Sequence, residues 1–321
     1  MERHRKQLAS TLVLASALIA VTATFLLSPS LQAQTQAQPK GIDPALLAKA
    51  NAGDAKAQER VGFAYHSGEV VQQDHSKAAF WYRKAAMQGN VDAQFSLGYS
   101  FSHGQGVPQD YAQAATWYRK AAEQGDAFAQ FNFGLLYDNG QGVPQDYVQA
   151  ATWYRKAAEQ GDAFAQFNFG LLYDNGQGVP QDYAQAAAWL RKAAEQGYAS
   201  AQFNLGLLYD EGKGVMQDYR QAMTWYRKAA EQGVAIAQYN LGVDYETGQG
   251  LPQDYAEAAI WYRKAADQGN AGAQNNLGLL YERGFGVPQS YAEAYFWLDL
   301  AAASIKEPLI NPSFSRTQEK I

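Results

Sequence analysis

The sequence predicts an all-α solenoid, an α/α array of seven 36-residue helical hairpins. Three observations predict it: a strict internal period, glycine and proline stops at fixed places within each period, and a tryptophan at one position of every copy. The string LLYDNGQGVPQDY stands at residues 135–147 and again at 171–183. From Asp54 the register returns at Asn90, Asp126, Asp162, Tyr198, Val234 and Asn270 without insertion or deletion. The copies beginning at Asp126 and Asp162 differ only at Val148/Ala184, Thr152/Ala188 and Tyr154/Leu190.

The chain starts with Arg3, Arg5 and Lys6, then an apolar run over residues 8–27, then small and polar residues. This is the layout of a secretory signal over residues 1–33, with a cut between 30 and 37. The run is also long enough to stay as an uncleaved membrane anchor, and Leu31 is a poor residue three before a cut. A Gln-rich linker occupies 34–43. The solenoid covers 44–305: a half-repeat cap at 44–53, then the repeats from 54, 90, 126, 162, 198, 234 and 270. A tail of 306–321 closes the chain. The protein is expected to be periplasmic or secreted, touching membrane only if the first segment stays attached.

Within each copy a first helix is predicted at 127–139 and a second at 147–160, or their equivalents. Gly140, Gly142 and Pro144 end the first, since proline cannot continue a helix. Asp146 followed by Gln149 has capping-box spacing at the start of the second, and Asp110, Asp182, Asp218, Asp254 and Ser290 repeat the pattern. Gly62, Gly98, Gly134, Gly170, Gly206, Gly242 and Gly278 fall mid-helix, where each costs about 1 kcal/mol relative to alanine. Close approach of the second helix at small residues such as Ala150 explains them. The tryptophans, Trp81 to Trp297, are wedges that one hairpin cannot bury, so hairpins must stack.

With AQFNFGLLY, GVPQDY and WYRKAAEQG recurring in this order, the chain resembles the Sel-one-like repeat (SLR) family, relatives of the tetratricopeptide repeat. The resemblance implies a right-handed superhelix and adaptor or scaffold work between proteins, in envelope regulation or host contact for exported members. The end copies depart from the pattern, as caps do: Val70, Gln72 and His75 in the first, and Tyr295, Phe296, Leu298 and Leu300 in the last, which lacks the Arg-Lys pair.

If the first helices line the concave face, as in the tetratricopeptide relative, that face carries one stripe of repeat positions. It holds Phe128, Phe164 and Ile236; Phe95, Phe131, Phe167, Phe203 and Tyr239; Asn132, Asn168, Asn204, Asn240 and Asn276; and Asp138, Asp174, Asp210, Glu246 and Glu282. An asparagine amide can donate to and accept from a peptide backbone at once, so this ladder can grip a protein or peptide segment. The same asparagines can instead bond within the array, and the inner aromatics can instead be core. The Arg-Lys pairs, from Arg83 and Lys84 to Arg263 and Lys264, read as a solvated outer row paired with acids such as Glu123, or as a contact for an anionic polymer.

Chemistry is not signalled. No Gly-x-Ser-x-Gly, Ser-x-x-Lys or His-Glu-x-x-His pattern occurs, and cysteine is absent. His66, His75 and His103 fall in the first two copies and read as separate surface histidines, a metal site among them being the alternative; no catalytic, metal or cofactor residue is expected. The net charge of -5 becomes -7 without the first 33 residues, which argues against a nucleic-acid partner. The competing reading is a hydrolase or binder acting on cell-wall or glycan material, including β-lactam-type substrates.

Overall fold

The computed structural model describes residues 41–306, with side chains to 303. The expected signal, most of the linker and the tail beyond 306 lie outside the described residues. Those residues form fifteen α-helices and no strand. After α1 (Pro44–Asn51) come α2 (Ala55–Ser67), α3 (His75–Met87), α4 (Val91–His103), α5 (Tyr111–Glu123), α6 (Ala127–Asn139), α7 (Tyr147–Glu159) and α8 (Ala163–Asn175). There follow α9 (Tyr183–Glu195), α10 (Ala199–Glu211), α11 (Tyr219–Glu231), α12 (Ala235–Thr247), α13 (Tyr255–Ala266), α14 (Ala271–Arg283) and α15 (Tyr291–Lys306). Residues up to 181, with α1–α8, make one compact unit, and those from 182, with α9–α15, make a second.

The hairpin α6–α7 shows how each copy is built. Asp126 caps α6 by accepting from the Ala129 amide at 2.7 Å. At the other end, Gln145 Nε2 donates to the Asp138 carbonyl at 2.6 Å, tying the loop to the last turn. Asp146 Oδ1 then accepts from the Val148 and Gln149 amides at 2.9 and 3.0 Å and starts α7. The capping box is only half used: the Asp146 amide donates to the Tyr137 carbonyl at 3.0 Å, across the loop, so the Gln149 side chain has no cap amide to serve. In the second unit Tyr198 and Val234 open α10 and α12 with no side-chain cap.

The mid-helix glycines do lie where the second helix approaches, but the group pressing hardest is a tyrosine ring. A Cβ on Gly134 would sit 2.8 Å from Tyr154 Cδ1 and 3.4 Å from the Ala150 carbonyl oxygen. On Gly206 it would sit 2.7 Å from Tyr226 Cδ1. Both tyrosines are fully buried, and in the last hairpin Leu298 takes the place of the ring over Gly278.

Two further contacts hold successive hairpins in register, and neither is visible as an apolar pattern. Gln130, buried in α6, donates from Nε2 to the Ala122 carbonyl of α5 at 3.1 Å, and Gln160 of α7 donates to Gln130 Oε1 at 2.7 Å. The second unit repeats this with Gln238 on the Ala230 carbonyl at 3.0 Å and Gln268 on Gln238 at 2.8 Å. These glutamines form a polar seam inside an apolar core, with donors and acceptors matched. At the start of the array Gln58 uses the Ala50 carbonyl at 3.1 Å, so α1 stands in for the end of a second helix. The other contact is backbone on backbone. Gly142, at φ +71°, lies so close to the N-terminus of α5 that a Cβ would fall 2.2 Å from the Tyr111 carbonyl carbon. No other residue fits there.

The tryptophans join clusters that reach across hairpins. Trp81 lies in one cluster with Ala50 of α1, Trp261 with Phe203 of α10, and Trp297 with Val243 of α12. All three are buried, while Trp117 and Trp189 are half-buried.

Candidate functional site

On α6 and α8 two rings stand out into solvent one repeat apart: Phe128 is 60% exposed and Phe164 is 51% exposed. Each leans on an inner aromatic of the preceding hairpin. Phe128 and Phe95 have ring centres 6.1 Å apart, and Phe164 and Phe131 are 5.9 Å apart. The inner rings rest in turn on the buried tyrosines, Phe95 on Tyr118 and Phe131 on Tyr154, both at 5.8 Å. The exposed pair therefore caps two aromatic stacks anchored in the core.

The other residues assigned to this face are placed differently. Phe167 and Phe203 are buried, and Phe203 sits 5.8 Å from Tyr226. Tyr239 is half-buried beside Tyr262 at 6.0 Å. The asparagines spend donors locally: Asn132 gives one to the Phe128 carbonyl, Asn168 to the Phe164 carbonyl and Asn204 to the Ser200 carbonyl, each at 2.8 Å. Asn240 is buried, and Asn276 donates to the Tyr262 hydroxyl at 3.0 Å. Of the two uses open to the asparagines, bonding within the array therefore takes one donor from each of Asn132, Asn168, Asn204 and Asn276.

The acidic row is engaged as well. Tyr154 donates its hydroxyl to Asp138 Oδ2 at 3.0 Å, and Tyr262 donates to Glu246. Burial raises the Asp138 carboxyl above its usual range, a shift the Tyr154 hydrogen bond partly opposes. Burial, then the Asp138 charge, pushes the Tyr154 hydroxyl well above its own. Asp210 Oδ1 accepts from Gln249 at 3.5 Å, while at Asp174 it is the backbone carbonyl that accepts, from Gln181 at 2.7 Å, the same loop tie that Gln145 makes to Asp138.

The Arg-Lys row turns out to be aromatic in its contacts. Lys156 lies 3.9 Å from the centre of Trp153 and Lys264 at the same distance from Trp261. Arg227 reaches forward to the Tyr245 ring at 5.8 Å, and Arg263 to Trp297 at 4.9 Å. The pairing of Arg119 with Glu123, at 3.9 Å, is the lesser contact, since both side chains are more than half exposed.

Sequence reasoning missed the glutamine seam, although a signal existed: a glutamine in the first turn of every first helix, Gln58 to Gln274, at a position that is otherwise core. It also read His66 and His75 as unrelated, whereas their rings lie 5.4 Å apart. No group of three or more metal-ligating side chains occurs among the described residues, and none of their helices is long and apolar enough to cross a membrane.

The Sel1 repeat pattern matches residues 55–90, 91–126, 127–162, 163–198, 199–234, 235–270 and 271–304. A protective antigen present in uropathogenic Escherichia coli strains, displaying an SLR fold, is 39% identical with a TM-score of 0.78. That match covers 82% of this chain but 56% of the antigen, so the chain spans just over half the length of that relative. A Sel1 repeat protein from Oxalobacter formigenes is 40% identical with a TM-score of 0.66, over 81% of this chain and 75% of that one. No curated protein matches the chain.

Proposed function

The chain belongs to the Sel1 repeat family, whose members are protein-interaction scaffolds, and on that premise we propose that it is a non-enzymatic exported adaptor. Its α6–α8 face holds a segment of another protein. One observation carries this reading: Phe128 and Phe164 are large, rigid and solvated, and repeat at the spacing of the hairpins. Exposed aromatics set on a buried base lose little freedom on contact, which is what interaction anchors need. Because Asp138 is engaged by the Tyr154 hydroxyl, the partner segment is selected by apolar side chains more than by basic ones.

The adaptor acts in the periplasm or outside the cell, in envelope regulation or host contact. The basic-then-apolar start of the sequence supports export. The protective antigen among its relatives supports host contact. A photo-crosslinking residue at position 128 or 164, used on an envelope fraction, identifies the partner. The double substitution Phe128→Ser and Phe164→Ser should then weaken binding of that purified partner at least about ten-fold. Unchanged affinity, or turnover of muropeptides or a β-lactam by the pure protein, would overturn the reading.

A further inference from the structure

The first hairpin differs from the other six at two positions that the fold brings together. Where the later copies carry Ser102, Asp138, Asp174, Asp210, Glu246 and Glu282 at the end of the first helix, the first carries His66. Where they carry Tyr111, Tyr147, Tyr183, Tyr219, Tyr255 and Tyr291 at the start of the second, it carries His75. The two imidazole rings are 5.4 Å apart at an interplanar angle of 60°. Two imidazoles bound to one tetrahedral ion at about 2.0 to 2.1 Å would have ring centres roughly 5 to 5.5 Å apart. His75 Nδ1 is buried and has no hydrogen-bond partner, and neither ring nitrogen of His66 is hydrogen-bonded among the described residues. A second orphan lies close by along the chain that packs here. Gln105 Oε1 is likewise buried and unpaired, and the adjoining Gly106 lies against the His75 backbone, where a Cβ would fall 2.0 Å from the carbonyl oxygen.

We infer that His66 and His75 form a binding site for one late transition-metal divalent ion, such as Zn²⁺, Ni²⁺ or Cu²⁺, completed by water. Imidazole nitrogen suits these ions and not magnesium or calcium. The short loop between α2 and α3 sets the two ligands in place before the ion arrives.

The test is Zn²⁺ and Ni²⁺ titration of the full chain, made without a polyhistidine tag, by calorimetry and competition with a chromophoric chelator. The informative variants are His66→Ser and His75→Tyr, because each installs a residue that another hairpin of this array already carries at that position. Binding of one ion, weakened at least about ten-fold by either variant and unchanged by His103→Gln, supports the site. Zn²⁺ should also raise the unfolding midpoint of the unsubstituted chain and leave that of the double variant unmoved. An unsubstituted chain that takes up no ion at millimolar metal overturns the proposal. So does full binding by the double variant, which would put the ion elsewhere.

Discussion

Helix α6 in the first unit and α12 in the second have the same register and opposite surfaces. Phe128 in α6 is 60% exposed, whereas Ile236 at the same repeat position in α12 is 8% exposed and lies in one core cluster with Phe203 and Leu241. Asn132 keeps part of its amide at the surface, while Asn240 is buried. Yet the base beneath is alike: Tyr154 donates to Asp138 and Tyr262 to Glu246. The repeat therefore sets the scaffold, and the side chain at one stripe position decides whether a hairpin presents an anchor or closes over itself. A flat aromatic ring stacked on Phe95 leaves its outer face in water; a compact branched residue sinks between its neighbours.

The largest contrast should come from the loop glycines. Gly142→Ala adds a Cβ at 2.2 Å from backbone in a left-handed conformation, and should cost about 4 kcal/mol in urea unfolding followed by far-UV circular dichroism. Gly250→Ala, the equivalent change after α12, meets Tyr219 at 2.9 Å and should cost only about 2 kcal/mol. Equal losses would mean that the loop contact is not what holds neighbouring hairpins together.

Next in size is the stripe position itself. Ile236→Ala should lose about 2 to 4 kcal/mol, and Phe128→Ala less than about 1 kcal/mol, by the same measurement. A reversed order would abolish the distinction drawn between anchor and core. The glutamine seam should respond in both units: Gln130→Leu and Gln238→Leu each leave a buried carbonyl without its donor and take one acceptor from a second glutamine, at about 1 to 3 kcal/mol. Gln149→Leu, on exposed surface, is the matched control and should stay within about 0.5 kcal/mol.

The smallest effect is a slope with pH. Burial raises the folded carboxyl of Asp138 above the usual 3.8, so the folded state holds that proton longer than the unfolded chain does. Its contribution favours folding below that usual value and is lost as pH rises through the folded one. Asp138→Asn keeps an acceptor for Tyr154 and removes the titration. Relative to the unsubstituted chain its stability should therefore climb as pH rises from below the usual carboxylate range through the raised folded value, and a flat difference would show that Asp138 titrates alike in the folded and unfolded chain.

The helices and their ends were legible because they depend on neighbours in sequence. Asp126 and Asp146 cap within three residues, and the predicted first helix at 127–139 coincides with α6. The partner face was legible only in outline. Helical spacing puts Phe128, Phe131 and Asn132 on one side of α6, but which of them meets water depends on Phe95, thirty-three or more residues earlier, and on Tyr154 in the next helix. Gln130 escaped notice because a polar side chain in a first turn is ordinarily solvated; its partners, Ala122 and Gln160, are known only once hairpins are stacked.

By itself, then, the sequence determined the seven-fold hairpin array, since period, caps and stops act through local backbone geometry and through apolar wedges that need a neighbour. The tertiary structure alone decided that tyrosine rings fill the glycine notches, that glutamines stitch one hairpin to the next, that asparagines turn inward to their own helices, and that His66 meets His75. Each of these depends on distances between residues far apart in the chain, which packing sets and which no one-dimensional pattern contains.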